Sequence, residues 1–447
     1  MKTTLWAGLL LILIGTPAIL LFLSAPVAVD VQPVPAVVGP SSQFSVKVSG
    51  PHGARVIQAV LDQGSARTQA GLQRESNFWM FWRTKMAPAA YTFRLGADPK
   101  LGFKGGPARL TVQATSNDLR GQTTTRVFVV NINLDPPQIS AHDERLYITQ
   151  GGAALVVFNV SGYWTEAGVK VGNYRFHSYP VPGSKSPNER FCLFAWPWDV
   201  PATEQAVVFA SNPAGVMATA GFPHEVKPRQ WRQRKIALDD RFVSKALGEL
   251  DPQGSGDPVE RFLRINRQMR ADNNRTLAGL RLQTAEQFLW SPPFKQMANT
   301  QVEALFADIR SYTYGGKSID QQTHLGFDLS RVAHAPVEAA NSGKVVFAGF
   351  LGIYGNCVVV DHGYGLQTIY AHMSEISVKP GDPVKLDQTL GRTGATGLAA
   401  GDHLHFSMQI DGVQVNPLEW WDARWIANRI TAQLPGAMVP AAASAGR

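Results

Sequence analysis

Residues 343–373, which read GKVVFAGFLGIYGNCVVVDHGYGLQTIYAHM, decide how the C-terminal part of this chain folds. Short runs rich in Val, Ile, Phe and Tyr alternate there with glycine-containing turns, a pattern typical of β-strands. Another strand-like run, LHFSMQI, follows at residues 404–410. Because no helical period interrupts these runs, the sequence predicts a β domain over residues 289–425.

Alternating apolar and polar runs predict two more β modules upstream. FSVKVSG at residues 44–50 and TTTRVFVVNINL at 123–134 have a period of two and are separated by Gly, Pro and Asn. Strands at that spacing suggest a small sandwich, so residues 30–135 are predicted to form an Ig-like β-sandwich domain. Similar runs follow Pro136-Pro137 and predict a second β-rich, sandwich-like domain at residues 136–226. The predicted fold class is mainly β.

Residues 227–288 have a different composition and begin with the basic stretch KPRQWRQRK. Within them, Asp257-Pro258-Val259-Glu260 has the residue types of a helix start: a capping Asp, Pro at the first helical position and Glu in the first turn. This segment is therefore predicted to be a basic helical connector. Its positive charge allows two interpretations, a solvated face or a patch that binds anionic wall polymer or lipid headgroups.

The overall composition bounds the class of protein. The chain has 447 residues, of which 45% are apolar and 17% charged, so it is globular and too apolar for a disordered protein. A net charge of +8 is compatible with several acidic partners. Two cysteines exclude a disulfide scaffold and a Cys-rich zinc ribbon. Cys192 and Cys357 are predicted to be buried free thiols, with a disulfide between them as the alternative.

The N-terminus carries a charge-free apolar run, LWAGLLLILIGTPAILLFL, at residues 5–23. Its length and composition predict a secretory signal or an uncleaved membrane anchor within residues 1–29, and we favour the anchor. In either case the body of the protein is expected outside the cytoplasm, where it would not meet nucleic acid. At the other end, residues 426–447 are predicted to be a C-terminal tail that is frayed from Leu434 onward.

Histidines cluster in the C-terminal β domain and raise the question of a metal site. Two patterns stand out, His324-Leu-Gly-Phe-Asp328 and His403-Leu-His405. Because side chains alternate along a strand, the second pair shares a face with about 6.5–7 Å between residues, which suits one ring on a metal and the other beside it. Gly326 permits a bend that could bring the first pair to one ion. Imidazole and carboxylate together favour zinc, although a pair of ordinary strand histidines is the simpler interpretation of either pattern alone.

Together these blocks resemble a known family. THLGFD at 323–328, TIYAHM at 368–373 and TGLAAGDHLHF at 396–406 closely match the signature blocks of the M23 metallopeptidases, also called LytM or lysostaphin-type endopeptidases. The resemblance covers about residues 290–422 and implies a small antiparallel β core with its site in a groove. It implies one Zn²⁺ held by His324, Asp328 and His405, with His372 and His403 in the non-ligand catalytic places.

The resemblance also implies a function. Members of this family hydrolyse peptide bonds in bacterial peptidoglycan, so we expect a zinc-dependent endopeptidase that cuts cross-links or stem peptides by means of zinc-activated water. A catalytically silent LytM-type regulator that activates another cell-wall hydrolase is the first alternative. A structural, wall-adhering protein is the second. An upstream module that covers the groove would be compatible with the enzyme.

The implied partners and location follow from the same comparison. We expect peptidoglycan as the main partner, the membrane through the N-terminal segment, and cell-wall or division machinery proteins as further partners. The expected location is the periplasmic or extracytoplasmic side of the cell envelope, with residues 5–23 anchored in the inner membrane.

Several residues near the motifs have open roles. Tyr370 is expected either to line the groove and bind substrate or to lie in the core. His362 is predicted to be structural and His334 to lie in a loop. Asp361 and Asp402 are either turn residues or partners that orient a ligand imidazole; the family usually has Pro at the position of Asp402. Arg310 is compatible with a packing role.

Overall fold

The computed structural model describes residues 19–73, 78–83 and 85–434. Most of the apolar N-terminal run and the tail beyond residue 434 therefore lie outside the described residues, and the predictions for them remain predictions. Among the residues that are described, no helix combines the length and apolarity needed to span a membrane.

The described chain forms two compact units. Unit 1 comprises the chain up to Gln138 together with two short insertions, Ser161–Thr165 and Ala210–Ala218. Unit 2 comprises Ile139–Val160, Glu166–Phe209 and the chain from Thr219 onward. The predicted domain boundaries at residues 135 and 226 remain predictions.

Unit 1 contains a β-sandwich. One sheet has the strand order β1-β3-β6, and the other has the order β2-β8-β7-β4-β5. Alternating residues of both sheets, such as Val46 and Leu110, are fully buried in one shared apolar core. The strands are β1 (Ala28–Gln32), β2 (Val37–Val38), β3 (Ser42–Ser49), β4 (Ala54–Gln63), β5 (Ala66–Gln73), β6 (Ala89–Leu95), β7 (Gly106–Ser116) and β8 (Thr123–Ile132).

A second β module forms the N-terminal part of unit 2. Its main sheets have the orders β14-β15-β11-β9 and β13-β12-β16-β17, and β10 pairs with β18 in parallel. The strands are β9 (Gln138–Ala141), β10 (Leu146–Thr149), β11 (Ala153–Ser161), β12 (Glu166–Val171), β13 (Tyr174–His177), β14 (Tyr179–Pro180), β15 (Glu189–Ala195), β16 (Ala206–Ser211), β17 (Met217–Gly221) and β18 (His224–Lys227).

The predicted connector contains one strand and several helices. Strand β19 (Gln233–Leu238) is followed by helices α1 (Asp240–Leu250), α2 (Pro258–Arg264) and α3 (Arg270–Gly279). The helix start predicted at Asp257 is confirmed, because its carboxylate accepts a hydrogen bond from the backbone N–H of Glu260 at 2.9 Å.

The C-terminal part of unit 2 is built on an antiparallel sheet with the order β20-β23-β31-β27-β26-β25-β29, and β32 pairs with β31. Smaller sheets have the orders β19-β21-β22 and β24-β30-β28. Its elements are β20 (Gln301–Ala304), β21 (Asp308–Tyr314), β22 (Lys317–His324), β23 (Phe327–Ser330), β24 (Pro336–Glu338), β25 (Gly343–Phe350), β26 (Asn356–Asp361), β27 (Leu366–Met373), β28 (Glu375–Ile376), β29 (Pro383–Val384), β30 (Thr389–Arg392), β31 (Leu404–Ile410), β32 (Val413–Val415) and helix α4 (Ala423–Arg429).

The connector helices and the large sheet share one core. Phe262 of α2 and Leu277 of α3 are fully buried in the same apolar cluster as Val359 and Ile369 of the sheet. The connector is therefore an integral layer of unit 2. The predicted fold class, mainly β with a C-terminal peptidase-like sheet, is confirmed.

Within unit 2, the second β module also packs on the large-sheet region. Glu419 accepts a hydrogen bond from the backbone N–H of Ala153 at 2.8 Å. A cluster of aromatic rings lies between the two parts, with centroid distances of 4.7–6.0 Å, and consists of Tyr179, Phe191, Phe288 and Tyr364. The two cysteines are buried free thiols, as predicted.

Candidate metal centre

Three strands bring the predicted ligands together. His324 ends β22, Asp328 lies in β23, and His405 lies in β31, directly opposite Asp328 in the antiparallel register. Directly opposed residues of neighbouring strands have side chains about 4.5–5.5 Å apart at Cβ. The turn at 325–326 places His324 against this pair, so residues 81 positions apart in sequence meet at one point.

The three side chains converge through one atom each. His324 Nε2 lies 2.9 Å from Asp328 Oδ1 and 2.9 Å from His405 Nδ1. His405 Nδ1 lies 3.1 Å from Asp328 Oδ1. All three side chains are buried. Two ring nitrogens and a carboxylate oxygen thus form a compact triangle of potential metal-binding atoms.

The donor set fits a zinc ion. Tetrahedral zinc has metal–ligand distances of about 2.0–2.1 Å for nitrogen and oxygen, which puts its ligands about 3.3 Å from one another. The observed separations are close to that edge length. His324 Nδ1–H donates to the backbone oxygen of Leu305 at 3.0 Å, so the lone pair of the ring is on Nε2, inside the triangle. Three protein ligands of these types are characteristic of catalytic zinc sites.

Asp328 is held by a residue from outside the motifs. Arg310 in β21 contacts Asp328 Oδ2 at 2.6 Å, which leaves Oδ1 for the triangle. Burial alone would raise the pKa of Asp328, but the surrounding imidazoles, above all His324, hold that pKa well below its usual range. Asp328 is therefore a carboxylate at neutral pH. Arg310 orients a ligand rather than only filling space.

Gly326 is required for close approach. A Cβ atom on Gly326 would lie 2.6 Å from Cε1 of the His405 ring and 2.7 Å from the backbone oxygen of Phe406. The sequence suggested that this glycine permits a bend; the structure shows that it leaves room for the imidazole ring.

We expect Gly326→Ala to weaken zinc binding by about 10–100-fold, because the added methyl group displaces a ligand ring. Zinc affinity measured by competition with a chromogenic chelator checks this. Gly279→Ala is the matched control, because its methyl group lies in open space and should leave zinc affinity unchanged. Gly316→Ala is less suitable, because the positive φ of Gly316 would strain an alanine. Equal affinity of Gly326→Ala and the parent would contradict the steric role.

The two predicted non-ligand histidines flank the triangle. His403 Nε2 lies 3.5 Å from Asp328 Oδ1, and its Nδ1–H donates to the backbone oxygen of Gly401 at 2.9 Å. His372 Nδ1–H donates to the backbone oxygen of Thr396 at 2.9 Å. The His372 and His403 rings are 4.9 Å apart at their centroids. Both rings are fixed by loop carbonyls through Nδ1, and the Nε2 of His403 is directed at Asp328.

The environment gives these histidines different proton affinities. Burial, reinforced by His403 and His405, lowers the pKa of His372 well below its ordinary value. Burial also lowers the pKa of His405 to about 4. Burial opposes protonation of His403 as well, but its contact with Asp328 outweighs this and raises the pKa. At neutral pH His372 is a neutral acceptor, while His403 holds a proton more readily.

Tyr370 is a core residue, the second of the two positions considered for it. It is 1% exposed, and its hydroxyl accepts a hydrogen bond from the backbone N–H of Ala340 at 2.8 Å.

The other nearby residues have structural contacts. His362 is buried, with its ring nitrogens 2.7 Å from the Ser342 oxygen and 2.8 Å from the Thr368 hydroxyl, as expected for a structural histidine. His334 lies exposed in a loop, and Asp402 accepts a hydrogen bond from its backbone N–H. Asp361 accepts from the backbone N–H of Ala285.

A cleft of about 960 Å³ opens over the triangle. One side is formed by the loop at 395–403 and the sheet, and the other by residues of β19, α1 and β21. Sequence reasoning did not find the contribution of α1. Lys245 Nζ donates to the backbone oxygens of Ala395 at 2.8 Å and Ala399 at 2.7 Å. Glu249 accepts from the Gly397 N–H at 2.6 Å.

Comparison with known proteins agrees with this geometry. Residues 322–417 match the model of Peptidase family M23, so the chain carries an M23 peptidase domain in that segment. The DD-carboxypeptidase/endopeptidase Mpg of Neisseria meningitidis is 39% identical over 95 residues, which are 21% of this chain and 22% of that protein. The peptidoglycan DD-endopeptidase ShyA of Vibrio cholerae is 36% identical over 96 residues, 22% of each chain.

A solved structure of an M23 peptidase from Pseudomonas aeruginosa is 20% identical, covers 62% of this chain and 95% of that one, and has a TM-score of 0.34. This chain spans about a fifth of the length of the Neisseria and Vibrio relatives. The resemblance inferred from the three sequence blocks is confirmed for the peptidase domain.

Proposed function

We propose that this protein is a zinc-dependent endopeptidase that hydrolyses peptide bonds in bacterial peptidoglycan. The observation that carries the proposal is the convergence of His324, Asp328 and His405 at the floor of an open cleft, with two further imidazoles beside them. The names of the Neisseria and Vibrio relatives, which match over the same domain, support peptidoglycan as the substrate.

The three converging side chains would hold the zinc. When bound, zinc supplies Lewis-acid chemistry: it polarises a peptide carbonyl and makes water nucleophilic near neutral pH. Arg310 binds Oδ2 of Asp328 and so directs Oδ1 to the site. The Leu305 oxygen fixes the tautomer of His324. These contacts order the ligands before any substrate arrives.

His372 and His403 would handle the proton and the developing charge. Neutral His372 has its Nδ1–H on the Thr396 oxygen, so Nε2 can accept a proton from the attacking water. His403 retains a proton more readily and can donate a hydrogen bond to the oxyanion that forms from the carbonyl, or a proton to the leaving amine. Two imidazoles with different proton affinities provide a base and a donor in one cleft.

The proposed place of action is the extracytoplasmic side of the cell envelope. Peptidoglycan lies outside the cytoplasmic membrane, and residues 5–23 have the composition of a membrane anchor or signal. The cleft would then work on the wall while the N-terminus remains at the membrane.

The test is hydrolysis of purified cross-linked muropeptides, with products identified by mass spectrometry and zinc measured on the same protein. We expect about one zinc per chain and cleaved peptide bonds, with activity lost on chelation and restored by added zinc. If zinc-loaded protein left muropeptides and sacculi intact, the proposal that this protein is an endopeptidase would be wrong. If that protein instead stimulated a second cell-wall hydrolase, the alternative function, a catalytically silent regulator, would be favoured.

The clamp formed by Lys245 and Glu249 gives a further prediction. Because the loop they bind carries the Thr396 and Gly401 oxygens that orient His372 and His403, we expect Lys245→Ala to lower kcat by about 10–100-fold with little change in zinc content. Lys245→Arg should recover part of the loss, since it can still donate to both carbonyls.

Steady-state kinetics with zinc analysis check the clamp, and Lys235→Ala on the exposed part of β19 is the matched control. An unchanged kcat in Lys245→Ala would show that the loop keeps its position without the hydrogen bonds from Lys245.

A further inference from the structure

We infer that one end of unit 1 is a membrane-contact surface, in which Met80 and Trp82 enter the lipid interface beside the N-terminal apolar run. The tip is defined here as residues 80–83. The inference rests on the proposed membrane location of residues 5–23 and is independent of the zinc site.

The chain leaves the apolar run at this end of unit 1. Ile19–Leu23 is helical, and its apolar side chains are largely exposed. His52 Nε2–H donates to the backbone oxygen of Leu23 at 3.3 Å, and the Ala25 N–H donates to Asp118 Oδ2 at 3.0 Å. Two turns of unit 1 are therefore fixed next to the point where the apolar run ends.

The tip lies next to the same point. Phe81 is fully buried and packs edge-to-face on His52, with ring centroids 4.8 Å apart. Trp82 packs on Phe81 at 5.6 Å. Since His52 contacts Leu23, successive contacts through His52 and Phe81 connect the indole to the end of the apolar run. The buried Phe81 holds the tip in place, while Trp82 is 42% and Met80 41% exposed.

The chemistry of this end suits a lipid interface. Trp side chains are enriched at the boundary between hydrocarbon and headgroups, because the ring is apolar and its N–H is polar. Three exposed cations accompany it: Arg83, Lys85 and Arg120. Cations near a membrane surface are attracted to anionic headgroups. Asp118, in the same turn as Arg120, is buried and bonded to Ala25, Ser116 and Gly121.

The opposite end of unit 1 provides an internal comparison. Strand β4 runs for ten residues between the two ends, so they are separated by about 30 Å. Leu101 lies near the far end, where Gln63 binds Lys104 and Gly102 approaches Ala66. Leu101 is 52% exposed, more than either tip residue, but it is remote from the apolar run.

The experiment uses the full chain reconstituted in vesicles of phosphatidylethanolamine and phosphatidylglycerol. A nitroxide is attached to Met80→Cys or, as matched control, to Leu101→Cys. The parent protein gives the labelling background, which should be low because Cys192 and Cys357 are fully buried. Collision rates with oxygen and with a water-soluble nickel complex report whether each label lies in lipid or in water.

We expect the Met80→Cys label to favour oxygen at least about 3-fold over the Leu101→Cys label, as for a group about 5–10 Å into the headgroup–acyl boundary. Adding Trp82→Ser to Met80→Cys should move the label toward water. Replacing phosphatidylglycerol by phosphatidylcholine should do the same.

Equal nickel accessibility of the two labels in vesicles would overturn the inference, and so would failure of the chain to associate with vesicles. If the Met80→Cys label were shielded from both oxygen and the nickel complex in vesicles and also in detergent, the tip would be covered by protein. That outcome would likewise overturn the inference. Muropeptide hydrolysis by Trp82→Ser is expected to stay within about 2-fold of the parent, so failure here is distinguishable from failure of the peptidase proposal.

Discussion

Replacement of His405 by alanine should abolish hydrolysis, with a loss of more than about three orders of magnitude in kcat/KM. His405 Nδ1 is one of three atoms within about 3 Å of one another, and its removal leaves only His324 and Asp328 to hold the zinc. Zinc content after dialysis should fall together with activity. Zinc analysis and muropeptide hydrolysis on the same preparation check both parts of this prediction.

A matched control for this variant is His334→Ala. His334 is an exposed loop histidine of the same domain, and its ring contacts the Ser374 hydroxyl. Its removal should leave zinc content and kcat near those of the parent. Circular dichroism would show whether His405→Ala remains folded. Full zinc occupancy and activity in a folded His405→Ala protein would refute the ligand set.

Replacement of His372 by alanine should have the second largest effect, and it should separate catalysis from metal binding. His372 borders the cleft, and its Nδ1 is bonded to Thr396 rather than to a ligand. We expect kcat to fall by about 10²–10⁴-fold, the usual contribution of a general base or acid, while zinc content stays at the parental level. A pH–rate profile should also lose its acidic limb, because the acceptor is gone.

His403→Ala is the companion to this variant. It should retain zinc too, but its pH profile should change on the basic side, since the pKa of His403 is raised by its contact with Asp328. Identical profiles for the two variants would contradict the division of roles. Loss of zinc in His372→Ala would show that this ring supports the metal instead of the reaction.

Much of the site was predictable from sequence because its chemistry is encoded in short local patterns. The resemblance of the motifs around His324 and His405 to a known family implied the ligand set, and strand alternation suggested that only one ring of the His403–His405 pair meets the metal. The helix start at Asp257 was equally local, since one capping side chain and one proline define it. Such features depend on spacings of a few residues, which sequence preserves.

Other features could not be predicted because they depend on contacts between distant residues. Lys245 binds carbonyls 150 and 154 positions away, and no local pattern distinguishes it from an ordinary solvated lysine. The position of Tyr370 stayed open between groove and core for a different reason: alternation along a strand does not say which of its two faces lies in the core. The sequence singled out Gly326 as a residue that permits a bend. It could not show that this glycine leaves room for the His405 ring, because that ring comes from another strand.

The contacts of Glu419 and the Tyr179–Phe191–Phe288–Tyr364 ring cluster have a practical consequence for expressing the peptidase domain of this protein by itself. A truncated protein limited to the segment that the relatives share would lack the partners of those rings. The apolar surface that they cover would then be exposed to water, and the protein would be prone to aggregate. The smallest segment worth expressing begins near Ile139 and is about three times as long as the segment 322–417 that the family model matches.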